Sequence, residues 1–340
     1  MSTVGFHHLF ANEIELFLNN VKVSKKVVVN PDKTGDYSTI SDAVLAAPNN
    51  ALVGDGYFVI HIVAGVYHEY ISIPTHKKYL MMIGDGIGKT IITGNRSSSD
   101  GWGSSGSATF GVAGDGFVAI QITFQNTAGP IKNQSVALRN EADMSAFYRC
   151  NFEGYQDTLL TDGNRQFYRE CDIYGTIDFI WGDATVVLQN CNIYFRLPLE
   201  GQFNVITAQG KTASSSHTGI SIQNCTILAA DDLARSSRTV KSYFGRPWRE
   251  YATTVVMQSL ISSVIDPAGW APWSNDFALS TLYYAEYDNR GPGSNTNNRV
   301  TWLGYHIISA KEAVNFTVKH FIEGDFWLSR TGVPYYGGLM

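Results

Sequence analysis

Along most of the chain the apolar residues fall in short runs separated by Gly, Asn and Asp, at 27–29, 57–63, 79–83, 117–124, 186–188, 219–222 and 253–257. Aromatic and β-branched residues fill these runs and turn formers bound them, which predicts an all-β chain with many turns. Two stretches depart from that pattern. Residues 37–47 have the spacing of a short amphipathic helix with Ser38 or Thr39 as N-cap, closed by Pro48 and placed to cover the first strand layer. Ser309-Ala-Lys-Glu312 has the arrangement of a capping box ahead of 313–321, which predicts a late helix on the flank. The Gly, Pro, Ser and Asn content of 288–298 predicts an exposed loop.

The runs also repeat. Phe147-Tyr-Arg-Cys150-Asn-Phe, Tyr168-Arg-Glu-Cys171-Asp-Ile, Leu188-Gln-Asn-Cys191-Asn-Ile and Ile222-Gln-Asn-Cys225-Thr-Ile share one pattern, with cysteines at intervals of 21, 20 and 34 residues. Recurrent units of this length argue for a β-solenoid over a sandwich, whose strands would be joined at hairpin spacing. Residues in register then stack on neighbouring coils at about 4.8 Å. Asp157 and Asp178 are 21 residues apart, the same interval, which puts them one coil apart on one face. Either alone reads as a turn residue, but the neighbours of both are aromatic and β-branched.

A length of 340 residues with 44% apolar content permits a large core, and a solenoid extends that core along one axis without a second domain. The net charge of −5, with no long Lys/Arg run, leaves nucleic-acid binding without an electrostatic footprint. No apolar stretch reaches the length of a membrane span. Residues 1–20 lack the basic start and unbroken apolar centre of a signal peptide. Four cysteines and the sequons at Asn95, Asn133, Asn224 and Asn315 nevertheless suit a secreted protein. The cysteines allow Cys150–Cys171 as the first pairing, with Cys191–Cys225 remaining, or a ladder of buried thiols. No C-x-x-C supports a zinc site.

Several motifs fail on inspection. Gly84-Asp-Gly-Ile-Gly-Lys-Thr90 lacks the first glycine of a phosphate loop, since position 83 is Ile. Gly101-Trp-Gly-Ser-Ser-Gly106 does not spell a nucleophile elbow, and His68-Glu69 has no second histidine at position 72. What remains is Gln134-Ser-Val-Ala-Leu-Arg139, Gly154-Tyr-Gln-Asp157, Asp178-Phe-Ile-Trp-Gly182 and Phe244-Gly-Arg-Pro-Trp248.

These four segments, with Gly65-Val-Tyr-His-Glu69, Ser107-Ala-Thr-Phe110, Ile122-Thr-Phe-Gln-Asn-Thr-Ala-Gly129, Arg165-Gln-Phe-Tyr168 and Ile206-Thr-Ala-Gln-Gly210, resemble the plant pectin methylesterases from about Val27 onward. The resemblance implies an all-β, single-stranded right-handed parallel β-helix (β-solenoid) with short terminal helices, in which 27–340 is the catalytic domain and 1–26 an extension or linker. It implies hydrolysis of the C6 methyl esters of homogalacturonan without metal or organic cofactor. In that reading Asp178 is the nucleophile, Asp157 the proton donor and later base, Gln156 and Gln134 the oxyanion donors, and Arg246 the cation that keeps Asp178 ionised. Thr109, Gln134, Arg246 and Trp248 are substrate contacts, and Trp270 or Trp273 would extend the aromatic platform. A secreted, cell-wall, monomeric enzyme acting on methylesterified homogalacturonan is implied, with a proteinaceous inhibitor as partner and neither nucleic acid nor membrane.

The chemistry stands on its own terms: an ester cleaved by a carboxylate needs one ionised acid to attack and one protonated acid to serve the leaving alkoxide. Two adjacent carboxylates resist ionising together, and a cation beside one separates their roles. The chain departs from the family pattern at Ser135, at Leu160-Thr161-Asp162, at Trp181, at Asp183 and at Phe244, and Asp183 is expected to add negative charge near Asp178. A glycan at Asn133 would crowd the cleft, so that sequon is expected to be unmodified. The rival readings are another pectin-active β-helix enzyme, a polygalacturonase or lyase, and a non-catalytic wall-binding protein.

Overall fold

The computed structural model describes residues 17–340. Every strand pairing in it is parallel, and from Tyr57–Ile62 to Leu260–Ile261 the chain visits three sheets in strict rotation; extra strands of one sheet at both ends give sheets of 11, 8 and 7 strands among the described residues. The result is a right-handed parallel β-helix. Each expected run appears as a strand or pair of strands. Val23–Val29, Tyr57–Ile62, Leu80–Gly84, Thr185–Gln189, Gly219–Gln223 and Thr253–Met257 all lie in the 11-stranded sheet. The run 117–124 is two strands, Val118–Ile120 and Thr123–Asn126, because the chain changes sheets at Gln121.

That change of direction recurs at each coil from Gln121 onward. Gln121, Arg149, Glu170, Asn190, Asn224, Gln258 and Asp288 each take a left-handed backbone, φ between 48° and 57°, in a column down the molecule. One left-handed residue bends the chain sharply from one sheet into the next, and the following residue points inward. Cys150, Cys171, Cys191 and Cys225 are those following residues, which is why the motif repeats.

All four cysteines are buried free thiols, so the expected Cys150–Cys171 disulfide is not formed. Each thiol donates to a carbonyl of the preceding coil: Cys150 to Ala119 at 3.5 Å, and Cys171, Cys191 and Cys225 to Phe147, Tyr168 and Leu188 at 3.4 Å each. Ser259 continues the column with the same bond to Ile222, also at 3.4 Å. Burial holds the Cys171 and Cys225 thiols well above their ordinary pKa.

Stacked aromatic rings fill the rest of the interior. Phe124 lies on Phe152 with centroids 5.6 Å apart, and Phe147 on Tyr168 at 5.0 Å. The predicted first helix is Ile40–Ala46, capped by Thr39, whose side chain accepts from the Asp42 amide. Its Ile40, Ala43 and Val44 join the core at the first coil. The capping box at Ser309 and Glu312 is present, but the single late helix is not. Instead Ala310–Ala313, Val318–Phe321 and Gly324–Trp327 form separate short turns, restarted at Thr317, so that Val318, Ile322, Trp327 and Leu328 reach the outer face of the 11-stranded sheet.

Candidate active site

The outer face of the seven-stranded sheet carries the site. Its strands Leu138–Asn140, Leu159–Thr161, Ile180–Gly182, Asn204–Gln209 and Ser242–Gly245 are stacked in that order. Alternation sends Leu138, Leu159 and Ile180 into the core and leaves Leu160, Trp181 and Ala208 outside. With Val136 these form a small apolar floor, against which Trp248 packs. Trp181 and Trp248 meet edge to face at 5.4 Å. Gly210 makes room for the second ring, since a Cβ there would lie 2.7 Å from it.

Asp157 and Asp178 lie on successive coils, as expected. Leu159 pairs with Ile180 and Leu160 with Trp181, so the two aspartates, each two residues before its strand, are in register. Both have left-handed backbones, φ 64° and 51°, which Asp tolerates better than most residues. At Gly175, just before the second aspartate, a Cβ would lie 2.1 Å from the Phe179 side chain, so only glycine allows this tight turn.

Both carboxyl groups are nearly buried, with 6% and 5% of their residue surfaces exposed. Arg246, 68 residues further on, grips Asp178 with both arms: Nε donates to Oδ1 at 2.8 Å and Nη2 to Oδ2 at 2.6 Å. Asp157 has no such partner. Burial, then the neighbouring Asp178 charge, push its pKa well above the usual carboxylate value against a weaker pull from Arg246. Asp178 is also raised by burial, but the Arg246 hydrogen bonds and charge oppose the rise. The two acids therefore sit in unequal surroundings, with the upward push on Asp157 the stronger.

Gln156 directly precedes Asp157, and Gln134 lies one coil earlier, where Ser135 N donates to the Gln156 carbonyl at 3.1 Å; both side chains are half-buried. Ser98 Oγ donates to Gln134 Oε1 at 2.6 Å, which orients the amide and leaves its NH2 as the donor end. The turn bearing Gln156 is braced by Arg196, whose Nη1 donates to the Gly154 carbonyl at 3.1 Å and Nη2 to Tyr155 Oη at 2.7 Å. Trp181 Nε1 donates to the Asp157 carbonyl at 3.3 Å. The Arg246 guanidinium lies 4.3 Å from the Trp273 ring centre and 5.7 Å from Phe203.

Three expectations change. Thr109 is fully buried and its hydroxyl donates to the Gln125 carbonyl at 3.0 Å, so its side chain is spent inside the wall and does not face the cleft. Trp270 is a core residue, 1% exposed and stacked on Tyr284 at 4.2 Å; of the two candidate platform tryptophans only Trp273 is at the cleft. Asp183 turns away from Asp178, accepting from Gln209 Nε2 at 3.1 Å and from Thr218 Oγ1. Ser98, Arg196 and Phe203 had no signal in the sequence, because each reaches the site from a loop without a repeated motif.

Among the described residues no group of His, Cys, Asp and Glu side chains is arranged to hold a metal ion, and no helix is long and apolar enough to cross a membrane. The arrangement offers one carboxyl group held by a guanidinium, a second buried carboxyl group without such a partner, two half-buried side-chain amides and an aromatic-floored groove.

A family profile described as Pectinesterase matches residues 26–325. The chain is 58% identical over 320 residues to a probable pectinesterase/pectinesterase inhibitor 20 of Arabidopsis thaliana, covering 94% of this chain and 57% of that protein. It is 53% identical to pectinesterase 2 of Citrus sinensis, covering 92% of this chain and 60% of the other. The chain thus spans little more than half the length of the curated relatives it matches. The solved pectin methylesterase from carrot superposes with a TM-score of 0.90 at 51% identity, covering 92% of this chain and 98% of that one.

Proposed function

The chain belongs to the pectinesterase family, and from that premise we propose that it hydrolyses the C6 methyl esters of homogalacturonan in the plant cell wall. The observation that carries the mechanism is the two-armed grip of Arg246 on Asp178 beside an unpaired, buried Asp157. Ionised Asp178 attacks the C6 carbonyl carbon. The oxyanion formed accepts hydrogen bonds from the amides of Gln134 and Gln156. As the tetrahedral species collapses, the C6–OCH3 bond breaks and the Asp157 proton passes to the methoxide, releasing methanol.

The product is an anhydride between C6 and the Asp178 carboxyl group. Asp157, now ionised, takes a proton from water as its oxygen attacks C6. Cleavage of the anhydride returns the Asp178 carboxylate, leaves Asp157 protonated again and gives the C6 acid. Trp248 and Trp273 offer their ring faces to the apolar C–H surfaces of the sugars.

The names of the Arabidopsis relatives pair pectinesterase with a pectinesterase inhibitor, which supports a proteinaceous inhibitor as partner. Secretion to the wall and a monomeric state are part of the same proposal. The proposal keeps the Asn133 sequon unmodified, since a glycan beside Gln134 would crowd the cleft. The test is methanol release from methylesterified pectin by the wild type and by Asp178→Ala. A loss of at least about 10⁴-fold is expected of a nucleophile, and equal release from the two proteins would overturn the mechanism.

A further inference from the structure

The apolar floor beside Asp178 does not end the groove. Ala108 packs against that floor and also lines a second cavity of about 450 Å³ on the same face, with Ser72, Gly111 and Arg139 as its outward-facing sheet positions. The strand Phe110–Val112 is three pairings from Ile180–Gly182, about 14 Å at the usual inter-strand spacing. A polymer of a few sugar rings lying along the helix axis would touch both places.

Arg96 stands at the rim of this second cavity. Its guanidinium carbon is 3.6 Å from the ring centre of Tyr70 and 3.6 Å from that of Trp102, so the cation is held between two aromatic faces. The clamp is itself fixed. Tyr70 Oη accepts from the Asn95 amide and donates to Asn95 Oδ1, both at 3.0 Å.

No acidic side chain among the described residues forms an ion pair with Arg96. The nearest acid in sequence, Asp100, is taken by Lys132 and Ser97. Across the cavity Arg139 is neutralised by Glu141. Stacking covers the faces of the Arg96 guanidinium and leaves its edge, where the N–H donors point, for an anion. A planar carboxylate matches that fork in two-point contact.

We propose that Arg96, clamped by Tyr70 and Trp102, is a subsite for the free carboxylate of a galacturonate ring, placed along the groove from the ester being cleaved. This deepens the reading of the chain as a pectin methylesterase and rests on it for the identity of the polymer. The subsite favours chains that already carry acid groups, the product of earlier turnovers, over fully esterified ones.

The experiment has two arms. Binding of unesterified hexagalacturonate is followed by calorimetry in wild type and Arg96→Gln, which needs no turnover. Methanol release is measured with a fully methylesterified oligomer and with a partly de-esterified one. Arg96→Gln is expected to weaken hexagalacturonate binding about tenfold, on the scale of one charge-assisted contact at a half-exposed site. The gap should close in high salt. The variant's KM should rise on the partly de-esterified substrate only, with kcat unchanged on both. Trp102→Ala, an exposed loop change, should weaken binding in the same direction by releasing the clamp.

Equal hexagalacturonate affinity of wild type and Arg96→Gln, or an equal KM rise on both substrates, would overturn the subsite even with a fully active esterase. Absence of methanol release by the wild type would count against the esterase reading and leave the binding arm to judge Arg96 by itself.

Discussion

The inside of the coil and the outer face of the seven-stranded sheet are built by the same backbone on opposite principles. Inside, coil repeats coil: Cys150, Cys171, Cys191 and Cys225 make the same bond to the preceding coil, and Phe124 on Phe152 and Phe147 on Tyr168 form two stacked pairs that meet edge to face. Outside, no coil repeats. Asp157 and Asp178 occupy equivalent positions, yet one is gripped by Arg246 and the other is not. Repetition therefore stabilises, and broken repetition gives two identical acids different chemistry.

The contrast breaks first in the core. Phe147→Ala removes a fully buried ring from the stack and should cost about 3–5 kcal/mol of stability. Denaturant unfolding checks this, with kcat of the surviving folded protein near wild type. On the outer face, Gln156→Ala should leave stability almost untouched and lower kcat by about 10²–10³-fold, the effect of one lost oxyanion donor. A steady-state assay on methylesterified pectin, paired with a melting curve, tests both halves.

Protonation sharpens the comparison further. In the proposed mechanism activity needs Asp178 ionised and Asp157 protonated, and burial raises both carboxyl groups above the ordinary carboxylate value, Asp157 the more. The acid limb of the kcat profile should thus lie above the ordinary carboxylate range, and the alkaline limb should follow Asp157. Stability has the matching sign. A buried acid with a raised folded pKa favours the folded state fully below its unfolded value, and that contribution disappears as pH rises through the folded one. Asp157→Asn should therefore melt with the wild type in strong acid and above it at neutral pH.

The smallest effect belongs to the thiol column. Thiol titration of the unfolded, unreduced protein should count four, and Cys171→Ala should cost about 1–2 kcal/mol for a small cavity and a lost weak donor. A count of two would restore a disulfide.

What could be foreseen follows the same division. The coil period was legible because each corner places one left-handed residue before one inward side chain, so Arg149-Cys150, Glu170-Cys171 and Asn190-Cys191 leave a visible rhythm. Asp157 and Asp178 inherit that rhythm. The aspartate–arginine contact spans 68 residues and was recognisable only through resemblance. Thr109, Trp270 and Asp183 were misplaced because the inward or outward sense of a residue depends on where the corner falls, and sequence locates corners poorly between motifs. The same holds for the disulfide: coil spacing suits a bond, but it suits a column of buried thiols equally well.

The left-handed corner also has an evolutionary consequence. Since a single residue resets the direction of the chain, the excursion between two corners can grow from 20 residues to 34 while the next coil still lands in step. New loops can thus be inserted around the cleft, changing which polymers it accepts, without disturbing the scaffold beneath.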